Sequence, residues 1–184
     1  VVQLPEQCDI NSAAYKAGCK TIADVSKERI KVAIKKIEKE KAEKPDMFDN
    51  GKLDLGFKVF KLTSSNLKIW RSSDVNEENL VQQLEAFKNP VHANSPEQNM
   101  LYELMLKAGY QLTDKVEQTG NYLAIVNGEL IIALQKLDDK TIQRIIATKP
   151  KKVITLDNLF TGNDQLKTNT VLQMKDAEID FKTI

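Results

Sequence analysis

The sequence predicts an α/β protein, and three features carry the prediction. Residues from Thr21 to about Lys44 follow helical spacing and lie between two strand-like stretches. Asn127-Gly128 joins two apolar runs as a hairpin turn would. From Lys140 to Ile184 helix and strand patterns alternate in the way that makes parallel pairs, so hairpin and alternation together predict a mixed sheet in a small end domain. Size agrees: a chain of 184 residues, 41% hydrophobic and 29% charged, buries about 70% of the surface its unfolded form exposes.

Charge and composition exclude several classes of function. The formal net charge is +1, which excludes an overall polycationic grip on nucleic acid, so an electrostatic partner must meet a local patch. Apolar runs are far shorter than the roughly 20 residues of a membrane span, and no basic-then-apolar leader opens the sequence. A soluble, cytoplasmic protein is expected. Cys8 and Cys19 form no CxxC pair, and with His92 as the single histidine neither a disulfide framework nor a zinc site is expected. His92 lies in Asn89-Pro90-Val91-His92-Ala93-Asn94, without a flanking nucleophile motif.

In chain order, Val1 to Leu4 reads as a strand, and its abrupt start is expected of a cut into a longer protein. Ile22, Val25, Ile30, Ala33, Ile34 and Ile37 form the apolar stripe of the first long helix, and Thr21-Ile22-Ala23-Asp24 is a capping box. Its other face is rich in Lys and Arg with interleaved Glu, and Pro45 stops it. Leu55 to Leu62 reads as a strand through Phe57, Val59, Phe60 and Leu62, closed by Ser64-Ser65-Asn66. Glu77 to Phe87 and Ser95 to Ala108 read as helices, the second capped by Ser95 with Pro96 at its first position and Gly109 at its end. The hairpin pairs Tyr122–Val126 with Glu129–Leu134 through a two-residue type I′ connection at Asn127-Gly128. A helix over Lys140–Thr148, a buried strand over Val153–Leu156, a helix over Asp164–Lys175 and a last strand around Ile179–Ile184 complete the chain.

Few residues suggest chemistry. The glycines are scattered singly, so neither a P-loop nor a complete dinucleotide fingerprint can be assembled. Glu6 stands where an open α/β sheet places an acid that binds a ribose, at the end of the first strand; a solvated loop carboxylate is the plainer reading. Arg29, Lys31 and Lys35 on the basic helix are candidates for phosphate contact, against the reading of a solvated face laced with i,i+4 ion pairs. Trp70, beside Lys68 and Arg71, offers a stacking surface or simple packing. The turn Thr161–Asp164 carries amides that suit an anion, but Asn163 or Asp164 supplies a helix cap there.

Three stretches together resemble the C-terminal part of the modification (Mod) subunit of type III restriction-modification systems, an S-adenosylmethionine-dependent, adenine-specific DNA methyltransferase. They are Val2-Gln3-Leu4-Pro5-Glu6 with Ala14–Gly18 and Ile22–Ile30; Leu55–Leu62 with Ser64-Ser65-Asn66 and Trp70; and Phe160 with Asn163-Asp164, Lys167-Thr168-Asn169 and Phe181–Ile184. The resemblance covers nearly the whole chain. It implies an incomplete Rossmann-like methyltransferase segment over residues 1–70, a helical connector over 71–109, and a C-terminal α/β domain over 110–184. The family's Asp-Pro-Pro-Tyr motif and glycine-rich cofactor loop would then precede Val1. Glu6 resembles the acid that meets the cofactor's ribose, and S-adenosylmethionine would belong to the intact protein and not to this chain alone. DNA, the restriction subunit and a second Mod copy are the partners implied. The family usually has further arginines where Lys31-Val32 stand, and an aromatic where Cys19 stands. The alternative is a free-standing nucleic-acid-binding or protein-interaction module, and a third class is a small complete α/β enzyme.

Overall fold

A computed structural model describes residues 2–43, 54–68, 80–81, 84 and 89–184. It divides into two compact units, Val1–Val59 and Phe60–Ile184.

The N-terminal unit is helical. A single turn, α1 (Ala13–Lys16), precedes the long helix α2 (Ile22–Glu43). The strand expected at Val1–Leu4 does not form: residues 2–6 are irregular, and only Gln7 makes an isolated bridge, to Thr21. The strand expected over Leu55–Leu62 is likewise absent, since residues 54–65 are irregular. Both stretches have strand-type composition, but a strand exists only where a ladder partner satisfies its backbone, and the described residues offer none.

The C-terminal unit contains the sheet. Helix α3 (Glu97–Lys107) is followed by β1 (Val116–Thr119), β2 (Tyr122–Ile125), β3 (Leu130–Ala133), α4 (Asp139–Ala147), β4 (Lys152–Thr155), a 3-10 turn (Asp157–Phe160), α5 (Asp164–Asp176) and β5 (Asp180–Thr183). Strand order in space equals order in sequence. The β1–β2 and β2–β3 pairs are antiparallel, β3–β4 and β4–β5 parallel. A mixed five-stranded α/β sheet is thus observed.

Alternation of side chains across the sheet makes two cores. Leu130, Ile132 and Ile154 face Met100, Leu101, Leu104 and Met105 of α3. Ile131, Ala133 and Val153 face Ile142 and Ile145 of α4 and Met174 of α5. The molecule's C-terminal unit is therefore three layers, helix, sheet and two helices. Every residue of β3 is fully buried, as befits a strand covered on both faces.

The helix ends follow local chemistry. Asp138 caps α4 by accepting from Thr141 N at 2.9 Å, and Asn163 caps α5 by accepting from Leu166 N at 3.0 Å. Gly109, at φ +88°, closes α3 as expected. Two expectations differ in detail. Ser95 does not cap α3; Pro96 holds that position without a side-chain bond, and the Ser95 hydroxyl donates to the Asn66 carbonyl instead. The hairpin connection is Val126–Glu129 and not two residues, because Ile125 pairs with Leu130, and Val126, Asn127 and Gly128 all take positive φ. Of the helix expected over Glu77–Phe87, Leu80, Val81 and Leu84 are helical and the other positions lie outside the described residues, as does Trp70.

Candidate functional site

Glu6, Arg29, Lys31 and Lys35 all fall in the N-terminal unit, whose geometry begins at α1. The Ser12 hydroxyl caps this turn by accepting from Tyr15 N at 3.1 Å. Gly18, at φ +93°, reverses the chain, with its own N–H on the Tyr15 carbonyl and the Cys19 N–H on that of Ala14. That closure, which needs a left-handed residue, brings Cys8 N–H onto the Lys20 carbonyl at 2.9 Å.

Helix α2 then starts on the expected capping box. Asp24 N donates to the Thr21 hydroxyl at 3.2 Å, and Thr21 N donates back to the Asp24 carboxylate at 3.0 Å. A hydrogen bond from Lys27, with those from Thr21, holds the Asp24 carboxyl down at about 2. Glu6 contributes through its backbone, its carbonyl accepting from Ile22 N at 2.9 Å. Its side chain is exposed, and it stands in irregular chain and not at the carboxyl end of a strand. The position expected from the sequence is thereby corrected.

The three basic candidates do not share one face. With about 100° of rotation per residue, Lys31 and Lys35 stand one turn apart on a common ridge, while Arg29 lies roughly 120–160° around the helix. Lys31 pairs with Glu28 at 2.6 Å, and further pairs link Lys27 to Asp24, Lys36 to Glu40 and Lys39 to Glu43. The salt-bridged face is therefore real, and it leaves Arg29 and Lys35 without an ion-pair partner among the described residues.

Arg29 lies instead along a shallow groove of about 420 Å³, which Glu28 and Lys36 also line together with Ala14, Cys19, Val25, Val32 and Ala33. Helix α2 has no buried residue at all; Ile30 is 39% and Val32 64% exposed. The groove thus sets two cations and the Glu28 carboxylate, itself paired with Lys31, around a largely apolar surface. Among the described residues no group of three or more His, Cys, Asp or Glu is arranged to hold a metal. Cys8 and Cys19 are buried free thiols.

Sequence reasoning missed one polar centre, in the C-terminal unit. Glu103 of α3 accepts from the Ser65 hydroxyl at 2.5 Å, Asn66 N at 2.7 Å and Asn66 Nδ2 at 2.8 Å, and pairs with Lys107 at 2.9 Å. Burial alone would raise this carboxyl; the hydrogen bonds from Ser65, Lys107 and Asn66 outweigh it and bring it to about 2. With all its lone pairs engaged, Glu103 fastens residues 65–67 to α3, where Leu67 also bridges Val91.

No family model, no curated protein and no solved structure matches the chain.

Proposed function

We propose that this chain is the C-terminal portion of an S-adenosylmethionine-dependent DNA adenine methyltransferase of a type III restriction-modification system, serving subunit assembly and inactive alone. One observation carries the reading beyond the resemblance. Among the described residues, strand-forming segments lack a sheet and α2 has no fully buried side chain: Val2 is 99%, Val59 60% and Leu62 99% exposed, although Phe60 packs edge-on against Tyr102. Exposed apolar residues on this scale mark surfaces that another part of a protein covers. In this reading that part is the methyltransferase sheet, which takes Val2–Leu4 and Phe57–Leu62 as strands and α2 as the helix between them.

The residue roles follow as proposals. Glu6 would meet the cofactor's ribose once the glycine-rich loop lies beside it. Lys31 and Lys35 would meet DNA phosphates from one ridge and Arg29 from another side. The restriction subunit and a second Mod copy would be the partners. Transfer to adenine requires the base extruded into a pocket and held against the methyl donor; a chain with neither an Asp-Pro-Pro-Tyr sequence nor that loop has no means of either.

The test joins the pieces. The coding sequence upstream of Val1 is read for an Asp-Pro-Pro-Tyr motif and a glycine-rich loop, and the encoded segment is co-expressed with this chain. Methyl transfer from S-adenosylmethionine to DNA adenine is expected only from the combination. Clear calorimetric heat with S-adenosylmethionine from this chain alone would instead identify a small complete enzyme. Binding of DNA by this chain alone, falling steeply with salt, would identify the free-standing nucleic-acid module.

A further inference from the structure

We propose that the groove along α2 receives an amphipathic helix of a partner protein, one that carries two carboxylates seven residues apart beside an apolar stripe. This inference does not rest on the methyltransferase reading. It gives Arg29 a carboxylate where that reading gives it a phosphate, so DNA enters the test as the rival occupant.

The repeat of α2 shapes the surface. Val25, Arg29, Val32 and Lys36 follow one another at steps of four, three and four, and at about 100° per residue they fall within roughly 60° of the helix circumference. All four line the groove. Each type recurs after seven residues, so the two valines, and likewise the two cations, stand about 10 Å apart along the axis and nearly in line. Ala14 of α1 and Cys19 border the same groove, with the chain reversal at Gly18 between them. The stripe is separate from the other apolar residues of the helix. Ile30, Ile34 and Ile37 are centred roughly 140° around the axis from it. A helix can pack against a sheet on one side and a second helix on another, so the groove stays available whether or not the isoleucine side is covered.

Electrostatics set the sign of the partner. The carboxylate in the groove, Glu28, is held by Lys31 at 2.6 Å. Lys36 reaches Glu40 only at 3.8 Å, with the two side chains 77% and 64% exposed, and Arg29 has no ion-pair partner among the described residues. The groove therefore offers one free and one loosely held cation, while its acid is already neutralised, and complementarity selects an anionic partner. The apolar residues choose among anions. A DNA phosphate gains nothing from Val25 and Val32, whereas a packed helix covers them, and Val32 is 64% exposed. Helices laid in grooves are read through anchors at i, i+3, i+4 and i+7. A partner with the same seven-residue repeat sets an apolar side chain against each valine and a carboxylate against each cation. A shallow groove suits the ridge of such a helix better than a small molecule, whose sites enclose most of its surface.

The test is fluorescence anisotropy on the whole chain with a labelled synthetic probe, an alanine- and glutamine-based helical peptide with two leucines seven residues apart and a glutamate four residues after each. Saturable binding is expected, with Kd in the range of about 10–100 µM. Arg29→Glu and Lys36→Glu are each expected to weaken it by at least about fivefold, and the double variant to bind instead a peptide with lysines in place of the glutamates. Val32→Asp is expected to weaken binding by a similar factor, and Lys35→Glu, off the groove, to leave it unchanged. Folding of each variant is checked by circular dichroism; should Arg29→Glu fail to fold, Arg29→Gln removes the charge alone and reads the same contact. The proposal is overturned if no saturable binding occurs up to about 1 mM peptide, if Arg29→Glu and Lys36→Glu leave binding unchanged, or if Lys35→Glu weakens it as much as Arg29→Glu. Duplex DNA whose binding is lost on Arg29→Glu and is indifferent to Val32→Asp overturns it equally, and assigns the groove to phosphates.

Discussion

Replacing Glu103 with glutamine tests how residues 65–67 are held. The carboxylate accepts from Ser65 and twice from Asn66 and pairs with Lys107; an amide of the same shape keeps one acceptor oxygen and aims a donor at the others. A carboxyl lowered from 4.5 to about 2 carries at most about 3 kcal/mol of folding free energy. The Glu103 side chain is 16% and Lys107 53% exposed, and solvent screening on the Lys107 side reduces this to about 1–2 kcal/mol. The sign follows from a lowered value in the folded state. The stabilisation is fully present above 4.5 and is lost as pH falls from there toward 2. Urea unfolding of wild type and Glu103→Gln, followed by circular dichroism, is expected to show a gap of about 1–2 kcal/mol at pH 7 that closes near pH 2. Coincident unfolding curves at pH 7, or a gap that persists undiminished at pH 2, would refute the reasoning.

Three further substitutions address separate features. The Thr155 hydroxyl is buried without a hydrogen-bond partner among the described residues, so Thr155→Val is expected to raise stability by about 1 kcal/mol, read as a higher urea midpoint; a lower midpoint would mean the hydroxyl is satisfied. Lys149 and Glu178 end α4 and α5 at φ +50° and +59°, where a side chain costs roughly 1 kcal/mol relative to glycine. Lys149→Gly and Glu178→Gly should each raise the melting temperature, and a fall in either would show that the lysine or glutamate makes a compensating contact. Thr21→Ala removes one half of the α2 capping box at about 1 kcal/mol, and loss of helical ellipticity without change in the C-terminal unit is the expected signature.

Elements whose signals are local could be read from the sequence. The Thr21–Asp24 box, the Asn163 cap and Gly109 each work within a few residues, and the structure places helix ends at all three. The apolar runs that became β2, β3 and β4 were legible because burial on one or both faces dictates their composition. β1 was not: Val-Glu-Gln-Thr at an edge buries one half-covered residue, and nothing in that pattern distinguishes it from a loop. The stretch Phe57–Leu62 shows the converse, strand chemistry without a strand, because composition declares a preference and not a partner. At the candidate site, the sequence displayed the cations of α2 but not their divergence: Arg29 turns to the groove, while Lys31 is engaged by Glu28. Glu103 was illegible because Ser65 and Asn66 lie 38 and 37 residues away.

The sheet order β1-β2-β3-β4-β5 bears on how the C-terminal unit is made. Each strand docks on the one synthesised just before it, so loop closure at every step spans a short length of chain and its entropic cost stays small. Assembly can advance as a single front from the hairpin, with each βα step adding one strand and its covering helix. During synthesis the hairpin and α3 can settle while the later residues are still inside the ribosome, and β5 zips on last.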